Sequence, residues 1–334
     1  MARCHAVLGA GSWGTALALV LARNGHEVRL WGHDPALVRA IAERGYNPRY
    51  LAGIALPAAI RAQADLSAAV AGVDAVLIAV PSHAFAASLD ALAGRLPAGL
   101  PVVWATKGLA PAGGGLLHEL AAARLPGHPL AVLSGPSFAG EVARGLPTAV
   151  VLASDRDARA LAADFHAERF RVYPSDDMIG VELGGAVKNV LAIATGIADG
   201  LGFGANTRAG LITRGLAEVR RLGAALGADD RTLTGLAGMG DLILTCTDDQ
   251  SRNRRMGLAL GRGESIEAAA EAIGEVVEGV RTALEVGALG RRRGVDLPIC
   301  SAVEAIVAGR LTPMAAARGL MEREPGAEFG DATP

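Results

Sequence analysis

Ala6-Val7-Leu8-Gly9-Ala10-Gly11-Ser12-Trp13-Gly14, residues 6–14, sets a short apolar run directly before a G-x-G-x-x-G pattern, and an Ala- and Leu-rich helical segment from Ala16 to Arg23 follows. The first glycine of such a pattern permits a tight turn, the second lets the backbone approach a pyrophosphate, and the third lets helix and strand pack closely. The helix N-terminus then presents N–H groups to the phosphates. In a chain with 44 glycines the pattern alone is weak. Its position at the first strand-to-helix turn makes Gly9, Gly11 and Gly14 a candidate dinucleotide site.

Further short apolar runs follow at Glu27 to Trp31, Ala75 to Val80, Val102 to Ala105, Ala131 to Leu133, Ala149 to Leu152 and Phe170 to Tyr173. Most are brief, β-branched and unalternating, as strands buried on both faces of a parallel sheet are. Helical stretches such as Phe85 to Leu96 lie between them, which predicts an α/β, doubly wound Rossmann-type sheet. From about Ile179 the pattern changes. Val181 to Ile197, Thr207 to Leu226, Ile266 to Ile273, Val280 to Arg291 and Cys300 to Ala308 read as helices, and Asp176 and Asp177 stand where an N-cap opens the first of them. The expected organisation is a dinucleotide-binding domain over 1–179, an all-helical substrate and catalytic domain over 180–322, and a frayed tail over 323–334.

Composition narrows the class. The 32 basic and 34 acidic side chains nearly cancel, so no nucleic-acid partner is advertised. Apolar residues make up 51% of the chain and aromatics 4%, with 68 Ala, which excludes disorder and suits closely packed helices. Cys4, Cys246 and Cys300 show no metal-ligand spacing, so no metal is expected, and their odd number points to a reducing compartment. No stretch is read as reaching the roughly 18 apolar residues of a membrane span, and the strand at Val7-Leu8 starts too early for a signal peptide. A cytoplasmic location is the expectation. Assembly is not written in the sequence, and a homodimer is the state to test. Thirty of the basic residues are Arg, leaving Lys107 and Lys188 as the two lysines. Only an ammonium shifts its pKa readily and serves as a compact proton donor, so both are candidates for chemistry.

Lys107 lies in Trp104-Ala105-Thr106-Lys107-Gly108-Leu109, past the carboxyl end of a strand, where ligands of open α/β sheets bind. Ser134-Gly135-Pro136-Ser137-Phe138-Ala139 is a second small-residue loop at such an end. Lys188 falls inside the apolar helix around Gly184-Gly185-Ala186-Val187-Lys188-Asn189, where burial lowers a lysine pKa toward the range useful for proton transfer. Gly238-Met239-Gly240-Asp241-Leu242 is expected to place a carboxylate in a tight Gly turn. The loop Thr245 to Arg255 opens a helix with three arginines in four positions, Arg252, Arg254 and Arg255, a good anion site. Arg291-Arg292-Arg293 reads as a helix end helped by the dipole. At the second strand's end, Asp34 is either the acid that holds an NAD ribose or a helix cap before Pro35, and His33 either faces a 2′-phosphate or sits in solvent. Both NAD and NADP stay open.

The segments G-A-G-S-W-G-T-A (9–16), W-A-T-K-G-L (104–109), S-G-P-S-F-A (134–139), L-G-G-A-V-K-N-V (183–190), G-M-G-D-L (238–242), T-C-T-D-D-Q-S-R-N (245–253) and V-V-E-G (276–279) together resemble the bacterial-type NAD(P)-dependent glycerol-3-phosphate dehydrogenase family, in its order, from about residue 5 to residue 320. The resemblance implies reversible hydride transfer between sn-glycerol 3-phosphate and dihydroxyacetone phosphate, supplying phospholipid synthesis. It implies Lys188 as the proton acceptor for the C2 hydroxyl, and Lys107 as a residue touching both cofactor and substrate. Gly135, Ser137, Asp241, Ser251, Arg252 and Asn253 match substrate contacts, and Ser12, Trp13, His33, Ala139, Arg252, Val276 and Glu278 match cofactor contacts. Asp241, paired with Lys188, would favour the ammonium. The catalytic site is expected between the domains. The rival readings are a lysine-dependent dehydrogenase of a 3-hydroxy acid or sugar acid phosphate, and a non-catalytic dinucleotide sensor.

Overall fold

The structure is a computed structural model that describes residues 2–111 and 115–324. Most of the expected 323–334 tail therefore lies outside the described residues. These residues form two compact units, one ending at Glu182 and the other beginning at Leu183.

The first unit holds ten strands: β1 (Cys4–Leu8), β2 (Glu27–Trp31), β3 (Tyr46–Asn47), β4 (Leu51–Ala55), β5 (Ile60–Gln63), β6 (Ala75–Ile78), β7 (Val102–Trp104), β8 (Leu130–Ser134), β9 (Thr148–Ser154) and β10 (Phe170–Ser175). Eight of them make one sheet in the order β10-β9-β8-β7-β6-β1-β2-β5, while β3 and β4 pair separately. Central strands β6, β7 and β8 are buried at every residue, as expected. β2 instead alternates buried and half-buried positions after the exposed Glu27, and the edge strand β10 alternates buried and exposed ones. The sheet is parallel except at β8 and β9, where Ala131 lies opposite Ser154 and Ser134 opposite Val151. Between these two strands stands one five-residue helix, Ala139–Ala143. The chain returns antiparallel through this link of residues 135–147.

The second unit is helical. Its helices include Met178–Gly200, which begins in the first unit, and Ala205–Leu226, Arg252–Gly261, Ile266–Ile273, Glu278–Arg293, Pro298–Val307 and Pro313–Met321. Asp177 does cap the first of these, accepting from the Gly180 N–H at 2.8 Å. Gly196 and Gly200 face Gly257 and Gly261 so closely that a Cβ on any of the four would collide with the other helix's backbone. Contrary to the sequence reading, Met178–Gly200 is long and apolar enough to cross a membrane, but 94% of its apolar window is buried inside the protein. Its apolarity is that of a core helix: nearly every face of it packs on protein.

Candidate functional site

The Gly-rich turn is built as its spacing predicts. Gly9 has φ +119°, and a Cβ there would lie 2.5 Å from the Ala79 carbonyl oxygen of the strand-end loop. A Cβ on Gly14 would collide with the Gly9 carbonyl, so helix Ser12–Arg23 packs directly on β1. Nothing stands within 4 Å of the place a Gly11 Cβ would take, and no side chain caps the helix. An open approach to uncapped helix N–H groups fits a dinucleotide pyrophosphate. Among the described residues, the buried Trp13 indole N–H has no partner.

At the β2 end, Asp34 caps the helix that follows: its Oδ1 accepts from the N–H groups of Ala36 (2.9 Å) and Leu37 (3.3 Å). His33 is exposed. The two small-residue loops meet on one atom. The Gly135 carbonyl oxygen accepts from Lys107 Nζ at 3.0 Å and from Ser137 Oγ at 2.8 Å. Gly135 needs its absent side chain, since φ is +145° and a Cβ would come within 2.9 Å of the Val150 Cα. Ala139 opens the short helix that comes next.

In the helical unit, Lys188 is 8% exposed and Asp241 not at all. Lys188 Nζ donates to Asp241 Oδ1 at 2.5 Å and to Thr245 Oγ1 at 3.0 Å, and Thr245 donates in turn to the Asp241 carbonyl at 2.6 Å. The expected tight Gly turn is not there. Leu236–Gly240 is a single π-helical turn that runs straight into helix Asp241–Thr247. A π-turn inserts an extra residue and re-aims the side chains beyond it, and here it delivers the carboxylate to Lys188. Gly184 lets this turn approach, since a Cβ on it would lie 2.5 Å from the Ala237 carbonyl oxygen. Burial pushes the neighbouring Cys246 thiol up to about 12, so it is inert at neutral pH.

Ser251 caps helix Arg252–Gly261 by accepting from the Arg254 N–H at 3.2 Å. Asn253 bonds Asn189 Oδ1 at 2.8 Å and accepts from the Gly279 N–H at 2.8 Å. The three arginines of the expected anion site differ in their surroundings. Arg254 is buried against Asp199 and Asp249, at 2.5 and 2.8 Å, and the Arg255 Nε is also buried, whereas Arg252 keeps a 40% exposed side chain beside Glu275 at 3.1 Å. Val276 is exposed, and Glu278 opens helix Glu278–Arg293.

Sequence reasoning missed Thr245 and Asn189, and each had a signal. Thr245 stands one helical turn beyond Asp241, and Asn189 adjoins Lys188. It also missed a ligand grouping, because His5, His26 and Asp164 are distant in sequence. Their donor atoms lie within 4.8 Å of one another. The donor set suits a metal poorly: Arg3 pairs with Asp164 Oδ2 at 2.7 Å and its N–H donates to His26 Nδ1 at 3.2 Å. Burial pulls His5 down to about 4, leaving it neutral.

A glycine-turned dinucleotide sheet joined to a helical unit with a buried lysine defines a protein of the nucleotide-dependent dehydrogenase class. Family models described as the N-terminus and C-terminus of NAD-dependent glycerol-3-phosphate dehydrogenase match residues 5–160 and 177–318. The chain is 57% identical to glycerol-3-phosphate dehydrogenase [NAD(P)+] of Halorhodospira halophila over 99% of this chain and 100% of that one, and 58% identical to that of Alkalilimnicola ehrlichii over 98% and 99%. The crystal structure of glycerol-3-phosphate dehydrogenase from Coxiella burnetii superposes with a TM-score of 0.94 at 50% identity, over 96% of this chain and 99% of that one. This chain belongs to the NAD-dependent glycerol-3-phosphate dehydrogenase family. A ketopantoate reductase from Ralstonia eutropha, at 22% identity and a TM-score of 0.60, shares the fold alone.

Proposed function

We propose that this protein is an NAD(P)-dependent glycerol-3-phosphate dehydrogenase that interconverts dihydroxyacetone phosphate and sn-glycerol 3-phosphate, the backbone unit of phospholipids. The observation that carries the chemistry is the buried Lys188–Asp241–Thr245 constellation, in a chain more than half identical to enzymes so named over its whole length. The Gly9–Gly14 turn would hold a bound dinucleotide by its pyrophosphate, and the nicotinamide would supply or take the hydride at C2.

Lys188 does the proton work. As the carbonyl oxygen gains charge, an ammonium beside it stabilises that charge and then gives up a proton from Nζ. Asp241 keeps the ammonium charged despite its burial, and Thr245 fixes its direction. In the oxidative direction the same Nζ, once neutral, accepts the proton of the C2 hydroxyl. Arg252, with Ser251 and Asn253 beside it, anchors the phosphate, which must displace Glu275 from the guanidinium. Lys107, Gly135 and Ser137 line the substrate, and Ser12, Trp13, His33, Ala139, Val276 and Glu278 the cofactor. The three free cysteines agree with a reducing, cytoplasmic setting.

The test mixes the protein with dihydroxyacetone phosphate and NADH or NADPH and follows the loss of reduced-nicotinamide absorbance. Stoichiometric oxidation is expected. Oxidation only with a 3-oxo acid or an oxidised sugar acid phosphate would point to a related dehydrogenase, and dinucleotide binding without turnover would make the protein a sensor.

A further inference from the structure

A buried carboxylate that the proposed chemistry does not use sits at the junction of three elements of the first unit. Glu182, 4% exposed, accepts from the Trp104 indole Nε1 at 3.0 Å through one oxygen. Its other oxygen lies 2.8 Å from His118 Nδ1. Trp104 ends β7, His118 belongs to helix Leu117–Arg124, and Glu182 lies in the second turn of helix Met178–Gly200. Lys107 follows Trp104 by three residues, and Lys188 follows Glu182 by six on the same helix.

The choice of an acid here is informative. A glutamine would offer Trp104 the same acceptor without the cost of desolvating a charge. It would not hold a cationic His118. We propose that Glu182 is a positioning residue for the dehydrogenase reaction: clamped between His118 and Trp104, its carboxylate holds the end of β7 so that Lys107 stays on the Gly135 carbonyl. This role rests on the dehydrogenase function proposed for the chain. Trp104 is fully buried with Phe85 edge-on to it, and Thr106 is tied to the Val80 carbonyl at 2.8 Å. The loop is thus held on both sides of Ala105, and Glu182 supplies the hold at the strand end.

The charged groups acting on the pair are His118 and Glu182 themselves and Glu119 beside His118. Burial pushes the Glu182 carboxyl up, against the bonds from His118 and Trp104. Burial also works against the His118 cation, but the Glu182 carboxylate outweighs it and holds His118 above the ordinary imidazole range. The ionic part of the clamp is therefore present below that raised value and is lost as pH rises through it.

The experiment compares Glu182→Gln and His118→Gln with the wild type in three measurements: steady-state kinetics, their pH dependence, and amide exchange of segment 104–109. For Glu182→Gln we expect KM for dihydroxyacetone phosphate to rise about tenfold with kcat within about threefold, because alignment is lost and the proton donor is kept. Exchange of 104–109 should quicken about tenfold. KM of the wild type should rise at alkaline pH, and in His118→Gln that rise should vanish, since an amide donor does not titrate. Wild-type KM and exchange in Glu182→Gln would overturn the proposal. Should that variant not fold, an unchanged alkaline rise in His118→Gln would overturn it instead. A wild type that turns over no dihydroxyacetone phosphate would sink the functional reading, and the exchange of 104–109 would still decide the role of Glu182.

Discussion

An ammonium removed from water costs several kcal/mol unless a well-placed counter-charge and hydrogen bonds repay it. Lys188 has both, in Asp241 and Thr245, and that is why a lysine persists inside an otherwise apolar helix. A lysine in such a helix often snorkels to solvent, but the Lys188 Nζ points to a fully buried carboxylate instead. Lys188→Ala should lower kcat by roughly 10²–10⁴ or more, the worth of a positioned acid. It should leave the dinucleotide Kd within about threefold, as the Gly9–Gly14 turn lies in the other unit. It also strands Asp241 as an unpaired buried charge, so stability should drop by roughly 3–5 kcal/mol. Lys188→Arg keeps the charge but cannot cycle a proton, and it should fail as well. Stopped-flow turnover beside equilibrium dinucleotide titration checks the set. Near-wild-type kcat in either variant would end the acid/base assignment.

Elements were legible in proportion to how locally they are determined. The Gly-rich turn and the buried strands β6 and β7 could be read because glycine spacing and unbroken apolar runs are local signals. The two-residue strand β3 leaves no run to read, and the direction of β9 against β8 is set by pairing across the sheet, which its own residues do not encode. Asp241 was recognised as a carboxylate near glycines, but the π-turn that aims it depends on Gly184, more than fifty residues earlier. Gly184→Ala isolates that dependence. Its Cβ would meet a backbone oxygen, which cannot swing aside, so the π-turn must retreat and carry Asp241 with it. Overpacking of this kind costs about 1–3 kcal/mol. The larger effect should be on chemistry, with kcat falling by about 10²-fold because ångström-scale misplacement of a catalytic group is that expensive. A variant that loses stability in urea but keeps its kcat would show that the approach at Gly184 serves packing alone.

Across the whole molecule, 30 arginines and two lysines perform different work. The arginines hold carboxylates and carbonyls with several donors at once: Arg23 reaches the Val142 and Ala143 carbonyls, Arg291 makes two bonds to Glu304, and Arg254 bridges Asp199 and Asp249. A single-headed ammonium serves such forks poorly. The two lysines instead stand at Gly135 and Asp241, in the loops and helix that the motifs singled out. This distribution makes the protein unusually simple to probe with an amine-directed reagent, because arginine does not react. Lys188 is 8% exposed and ion-paired, so its amine is both hidden and engaged, whereas Lys107 is partly open. Reductive methylation of the native protein should therefore modify Lys107 first and Lys188 far more slowly, by about tenfold or more given the burial and pairing. Loss of turnover should track Lys107, and a saturating dinucleotide should slow both, if that lysine touches the cofactor. Peptide mass mapping against residual activity measures this directly. Full activity after complete modification of Lys107, or equal rates at the two lysines, would show that the scarcity of lysine carries no chemical meaning.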